Sequence, residues 1–298
     1  MSATKPTILV IGAAGRAGGL VAAALARRGA TVRALLRDPS TARAARANGA
    51  TEIAIGDLRN PGSVLNAAKG VHGVFHVGPA FVPDEAEVGI TLVEAAQRSG
   101  VRKLVFSSVI HATDGGLANH ASKLPVEAAI FRSRMEYTIL YPATFFQNIA
   151  PAWDAIVSTG LFGEPFPKDV KLARVDYRDV ADVAAEALTT DRLAYGSFEL
   201  CSDEMLTRTD IARIMSEVLG RSITAAEPSF AEWAAGARLP YDNRQKKLLA
   251  KVFRSYAEYG SAGNSLTLRA ILGREPRPLR RYIEERTALH SHEHAALS

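Results

Sequence analysis

The chain has 298 residues, 47% apolar and 22% charged, with a formal net charge of +5; this is the composition of a folded globular protein long enough for one large domain or two unequal ones. Its one cysteine, Cys201, excludes a disulfide framework and a cysteine-built metal site. The basic excess lies in residues 1–150, which hold 16 Lys/Arg against 10 Asp/Glu without a dense basic block, so a polyanionic cofactor accounts for it and nucleic-acid binding is not expected.

The first element is residues 7–11, Thr-Ile-Leu-Val-Ile, a β-branched and aliphatic run of the kind that makes a buried strand. Gly12, Gly15 and Gly18 follow at once, leading into an alanine-rich helical stretch over 16–28. Gly12 permits a tight turn, Gly15 lets the backbone approach a pyrophosphate, and Gly18 lets the helix lie close to the sheet. The helix start, through Ala14, Arg16 and Ala17, turns free N–H groups and a partial positive charge toward the phosphates. The spacing is G-x-x-G-x-x-G and not G-x-G-x-x-G, so its position between a strand and a helix carries the reading. A second strand, 31–36, ends in Arg37 where an acidic residue would bind a ribose 2′-hydroxyl. A guanidinium there suits a 2′-phosphate, and the expected cofactor is NADP(H).

Further strands are expected at 52–55, 73–77, 103–107 and 137–140, with helices at 41–47, 61–68, 85–98 and 120–132. This alternation predicts an α/β fold, a doubly wound parallel sheet of Rossmann type. Ligands in such a sheet sit beyond the carboxyl ends of the strands. The residues found there are Asp57 and Leu58, then Gly78, Pro79 and Phe81, then Ser107 and Ser108, and lastly the run from Tyr141 and Pro142 to Asn148. Asp57 is placed to accept from an adenine amino group, and Gly78, Pro79 and Ser107 to line the cofactor. Lys123 opens a helix after the fifth strand, where it can donate to ribose hydroxyls or supply a proton, and His120 lies one turn earlier.

After Pro142 the rhythm breaks. Residues 142–170 read as an irregular covering segment, 175–188 as a helix, and 197–201 as a strand, with 171–200 packing back onto the sheet. Thr207-Arg-Thr-Asp210 is a capping box opening another helix. The domains expected are 1–142, binding the nucleotide, and 143–298, mainly a smaller helical substrate cap. His290 to His294 reads as a polar tail, and no metal site is expected. The first strand begins too early for a signal peptide and no apolar run spans a bilayer, so a cytoplasmic address is expected.

The glycine loop, Val32-Arg-Ala-Leu-Leu-Arg-Asp-Pro39, Gly56-Asp57, Ser107-Ser-Val109, Ser122-Lys123, Tyr137-Thr-Ile-Leu-Tyr-Pro142, Asp176-Tyr-Arg-Asp-Val-Ala-Asp-Val183 and Leu268-Arg-Ala-Ile-Leu-Gly-Arg-Glu-Pro276 together resemble the NmrA-like family of atypical short-chain dehydrogenases/reductases. The resemblance implies a Rossmann domain, NADP(H), and cofactor roles for Gly12, Arg16, Arg37, Asp57 and Lys123. Relatives with the usual Tyr/Lys couple carry a tyrosine four residues before the lysine, and here that position is Asn119. The expected activity is NADPH-dependent reduction of a small, largely apolar acceptor, a quinone, enone or aromatic carbonyl. The acceptor would lie against Phe81, Phe145, Phe146 and Trp153, with Ser108 and Asn148 as polar handles. Lys123 would raise the local positive potential, and His120, Tyr141 or water would protonate the product, with Tyr137 a further phenol. The family also contains redox sensors, and the alternative is a non-catalytic NADP(H)-binding regulator acting through a protein partner. Either a monomer or a homodimer is compatible with the sequence.

Overall fold

The computed structural model describes residues 5–237, 239 and 241–295, with side chains through Ser291. The elements run β1 (Thr7–Ile11), α1 (Arg16–Arg27), β2 (Thr31–Leu36), α2 (Ala42–Ala47), β3 (Glu52–Ile55), α3 (Pro61–Ala68), β4 (Gly73–Val77), α4 (Glu85–Arg98), β5 (Lys103–Ser107), α5 (Ala118–Ala121), α6 (Lys123–Arg132) and β6 (Glu136–Pro142). They continue through β7 (Thr144–Phe145), α7 (Trp153–Thr159), β8 (Leu161–Gly163), β9 (Leu172–Val175), α8 (Tyr177–Thr189), β10 (Gly196–Leu200), β11 (Met205–Leu206), α9 (Arg208–Leu219), β12 (Thr224–Ala226), α10 (Phe230–Gly236), α11 (Asn243–Tyr259), α12 (Leu266–Leu272) and α13 (Leu279–Ala295). Two compact units result, Met1–Pro142 with Tyr177–Glu199, and Ala143–Asp176 with Leu200–Ser298.

The first unit is built on a sheet of order β3-β2-β1-β4-β5-β6-β10. Strands β1 to β6 pair in parallel, with Thr7 opposite Thr31, Ile8 opposite Gly73 and Val77 opposite Ser107. Their apolar runs are explained by helices on both faces. On one face Leu9, Val74, Leu104, Phe106 and Ile139 meet Leu92, Val93, Val126 and Ile130 of α4 and α6. On the other, α1 buries Val21, Ala22 and Leu25 and packs on α8, where Val180, Val183 and Ala184 are buried. Arg27 reaches Asp182 at 3.1 Å across that helix pair. Connections leave in opposite directions from β1 and β4, and this reversal opens the crevice at which doubly wound sheets bind ligands.

The second unit has its own core of Phe146, Ile149, Trp153, Ile156, Phe162, Ile211, Met215, Tyr282 and Ile283. Helix α9 opens on the expected capping box: Asp210 N donates to Thr207 Oγ1 and Thr207 N to Asp210 Oδ2, both at 3.0 Å.

Several expectations are corrected here. Val175, expected to open the following helix, instead ends β9 (Leu172–Val175), which pairs with β7 and β11 in a three-stranded sheet; β8 and β12 pair in parallel. The cap remains mainly helical and carries these small sheets of two- to four-residue strands, while 142–170 is largely regular. The helix expected over 120–132 is split at Ser122 into α5 and α6. The chain's end is helical to Ala295, with His290 Nδ1 at 3.2 Å from Asp154 Oδ1; the side chains of His292 and His294 lie outside the described residues. Among the described residues, no group of three or more His, Cys, Asp or Glu could hold a metal ion, and no helix is long and apolar enough to cross a membrane.

Candidate functional site

The glycine turn is built by steric necessity. Gly12 has φ +74°, in the left-handed region, and its carbonyl accepts from Gly15 N at 2.8 Å. A Cβ on Gly15 would lie 3.3 Å from Gly12 O, and one on Gly18 would lie 2.4 Å from it, inside the turn itself. The start of α1 therefore presses directly on the end of β1. No side chain caps α1 and its first turn carries no acidic residue, so no carboxylate competes for the helix's positive end. Gly12, Gly15 and Arg16 are exposed, while Ala14 and Ala17 are half-buried. Side chains added to the glycines would crowd this turn, and a helix start with neither a side-chain cap nor an acidic first turn fits a pyrophosphate. Two supports escaped the sequence reading: Asn48 Nδ2 donates to Ala13 O at 2.9 Å, and a Cβ on Gly19 would lie 2.4 Å from that amide. The Gly18-Gly19 doublet was the signal for a second close approach.

Arg37 is exposed directly after β2. Beside it Asp38 accepts from Ser40 N at 2.9 Å, and the Ser40 bonds hold its carboxyl below the usual range, with the Arg37 charge a minor aid. Asp57 is half-buried after β3, its Oδ1 accepting from Arg59 N at 2.9 Å, and Leu58 packs against the core.

Beyond β4 and β5 lies a buried ion pair. Lys123 Nζ donates to Glu85 Oε1, with side chains only 10% and 3% exposed. The pair is formally neutral, which corrects the expectation that Lys123 raises the local positive potential. Gly78 makes room for it, since a Cβ there would lie 2.8 Å from Glu85 Oε1 and 3.1 Å from Lys123 Nζ. Pro79 follows half-buried, and Phe81 is buried with φ +64°, a strained value for an aromatic residue. Below the pair His76 stacks on Phe106, with centroids 5.3 Å apart, and neither ring nitrogen has a partner. Burial, then the Lys123 charge, lowers its pKa to about 3, so the ring is neutral.

The expected proton donors are engaged. Glu127, buried on α6, accepts from Ser108 Oγ at 2.6 Å and from Tyr141 OH at 2.8 Å. Burial first, and the Glu127 carboxylate second, push the Tyr141 phenol well above its usual range. His120 Nδ1 lies 2.9 Å from the His111 carbonyl, which can only accept; the proton therefore sits on Nδ1, and burial keeps the ring neutral. Ser107 Oγ is 3.0 Å from Tyr177 OH, whose pKa burial raises to about 12. Tyr137 stands at the amino end of β6, edge-on to Phe131 and Tyr195 at 5.2 and 5.6 Å. That is the end of the strand opposite the crevice, so it is not a donor candidate. Pro142 closes β6, buried.

In the second unit Phe145 is half-buried and Asn148 exposed, whereas Phe146 and Trp153 are 2% and 0% exposed within that unit's core. Phe146 and Trp153 therefore present no face for a substrate, which corrects their expected stacking role.

The model of the NmrA-like family matches residues 4–293 of the chain. The NAD(P)H azoreductase of Xenophilus azovorans is 32% identical over 217 residues, 72% of this chain and 75% of that protein. Quinone oxidoreductase 2 of Escherichia coli strain K12 is 24% identical over 233 residues, 78% of this chain and 81% of that protein. Among solved structures, the Citrobacter sp. triphenylmethane reductase complexed with NADP(H) matches at TM-score 0.82 and 22% identity, covering 94% of this chain and 99% of that one; the two share a fold.

Proposed function

Because the chain belongs to the NmrA-like family and is an NAD(P)H-dependent oxidoreductase, we propose that its acceptor is a small, largely apolar molecule that spreads negative charge as it is reduced: a quinone, an enone or an aromatic carbonyl. The observation that carries this reading is the engagement of the candidate acids. Asn119 has no phenol, Tyr141 OH donates to Glu127, and His120, its pKa lowered by burial, donates its Nδ1–H to the His111 carbonyl. An acceptor that delocalises charge needs no strong acid beside it, and water can protonate the product.

The residues fit the cofactor in the following way. The turn from Gly12 to Gly18, with Ala14, Arg16 and Ala17, holds the pyrophosphate; Arg37 holds the 2′-phosphate; Asp57 and Leu58 lie at the adenine. Gly78, Pro79, Ser107, Tyr141 and Pro142 line the remainder, and Lys123 donates to the nicotinamide ribose. Bound NADPH supplies a hydride from its reduced nicotinamide. Phe81, Ser108, Phe145 and Asn148 are the residues assigned to the acceptor. The relatives named for azo and quinone reduction support a planar, conjugated substrate.

The test is NADPH oxidation by the purified chain against matched quinones, enones, aromatic carbonyls and aliphatic ketones. Turnover with the conjugated acceptors and not with aliphatic ketones supports the reading. Turnover confined to aliphatic ketones refutes it, and tight NADPH binding with no turnover on any acceptor favours the regulatory alternative.

A further inference from the structure

Glu85 is the first residue of α4, where a carboxylate is ordinary because it meets the helix's positive end. Its environment is not ordinary. Glu85 is 3% exposed, and its carboxylate accepts from the buried ammonium of Lys123. A buried charge is costly unless a counterion meets it, and here each group supplies the other's.

The groups around Lys123 leave this task to Glu85. From β4 comes His76, neutral and without a hydrogen-bond partner. From α5 comes His120, also kept neutral by burial. Glu127, one turn along α6, is occupied by Ser108 and Tyr141. Gly78 then provides a second, independent sign that the arrangement is built: the position of its absent Cβ lies 2.8 Å from Glu85 Oε1 and 3.1 Å from Lys123 Nζ. The pair thus rests against backbone just past the carboxyl end of β4, within the crevice of the sheet.

We propose that Glu85 is a positioning residue for NADP(H): it holds the Lys123 side chain over Gly78, in the place from which Lys123 donates to the nicotinamide ribose hydroxyls. The proposal rests on the reading of Lys123 given above. Its consequence is that cofactor affinity falls when the Glu85 carboxylate is removed, although Glu85 acts only through Lys123.

The test is NADP+ binding by titration calorimetry at one fixed pH. Glu85→Gln is expected to bind about tenfold more weakly, because the neutral amide no longer holds the Lys123 side chain in place. Glu85→Asp, with the carboxylate on a shorter stem, is expected to recover part of that loss, a rescue by charge that a merely space-filling role would not give. Gly78→Ala keeps both groups but takes the room, and is expected to weaken binding as well. Glu85→Asp carries the test if Glu85→Gln does not fold, in which case fully wild-type binding by Glu85→Asp overturns the proposal.

A Glu85→Gln protein with wild-type affinity overturns the proposal alone when Lys123→Ala binds weakly. A Lys123→Ala protein that binds NADP+ as wild type does overturns the ribose reading and the proposal with it.

Discussion

Replacing Gly18 by alanine probes the contact that sets α1 against β1. The added methyl would lie 2.4 Å from Gly12 O, 2.5 Å from Gly12 C and 2.6 Å from Ile11 O. Carbon contacts relax at about 3.5–4.0 Å, so helix and turn must separate by roughly 1 Å. Neither side yields cheaply, because Leu9, Val10, Val21 and Leu25 are all 0% exposed. Overpacking of this kind costs about 3 kcal/mol at its upper range, and alanine's better helix propensity returns about 1 kcal/mol. The net loss is about 2 kcal/mol, or a fall in Tm of about 4–8 °C for a unit of this size. Two controls separate sterics from backbone preference. Gly15→Ala meets one atom at 3.3 Å and is expected to lose under about 1 kcal/mol. Gly29→Ala meets nothing within 4 Å but sits at φ +81°, and strain alone costs it about 1–2 kcal/mol. Urea unfolding followed by circular dichroism, with NADP+ affinity measured alongside, reads all three. Gly18→Ala within about 0.5 kcal/mol of wild type, the usual scatter of harmless substitutions, and with unchanged affinity, would refute the reasoning.

Arg37→Asp removes a charge-assisted bond to a 2′-phosphate worth about 1.5–3 kcal/mol, so the preference for NADPH over NADH is expected to fall about 10- to 150-fold in kcat/KM; an unchanged preference contradicts the assignment. Tyr141→Phe is expected to lose about 1–3 kcal/mol of stability, as Glu127 gives up a buried donor, while kcat changes by no more than a few-fold. A hundredfold fall in kcat at full folding would instead make Tyr141 the proton donor. His76 binds its proton near pH 6.5 when unfolded but only at about 3 when folded; its contribution is therefore complete above pH 6.5 and is lost as pH falls toward 3, at about 1.4 kcal/mol per pH unit. His76→Phe is expected to flatten the pH dependence of the urea midpoint between pH 6.5 and 4.5, and equal slopes for both proteins would count against a neutral buried ring.

What the sequence revealed followed from locality. Strands β1 to β5 are short, mainly apolar runs bounded by turn residues, so their ends match the sequence pattern; the glycine turn and the Thr207 capping box are likewise written within a few neighbouring residues. The strand β9 was hidden because it is only four residues long with Arg174 inside it and its last residue, Val175, runs straight into the helical pattern; its identity comes from pairing with β7 and β11, distant in the chain. Phe146 and Trp153 follow a strand end, where aromatic residues wall pockets, yet the same hydrophobicity fills a core. The contacts that define the site's electrostatics were illegible for a related reason. Lys123 and Glu85 are 38 residues apart, and Ser108 and Tyr141 stand 19 and 14 residues from Glu127. No local pattern pairs them; only the register of β4, β5 and β6 brings them together.

The most direct test of the central claim is the fate of the nicotinamide hydrogen. The purified chain would be incubated with each C4-deuterated epimer of NADPH and a conjugated enone, and the product examined by mass spectrometry and NMR. The account predicts that one epimer delivers deuterium to the β-carbon of the enone, while the α-hydrogen comes from solvent. NADPH that binds but keeps its deuterium, with enones, quinones and aromatic carbonyls all recovered unreduced, would contradict it.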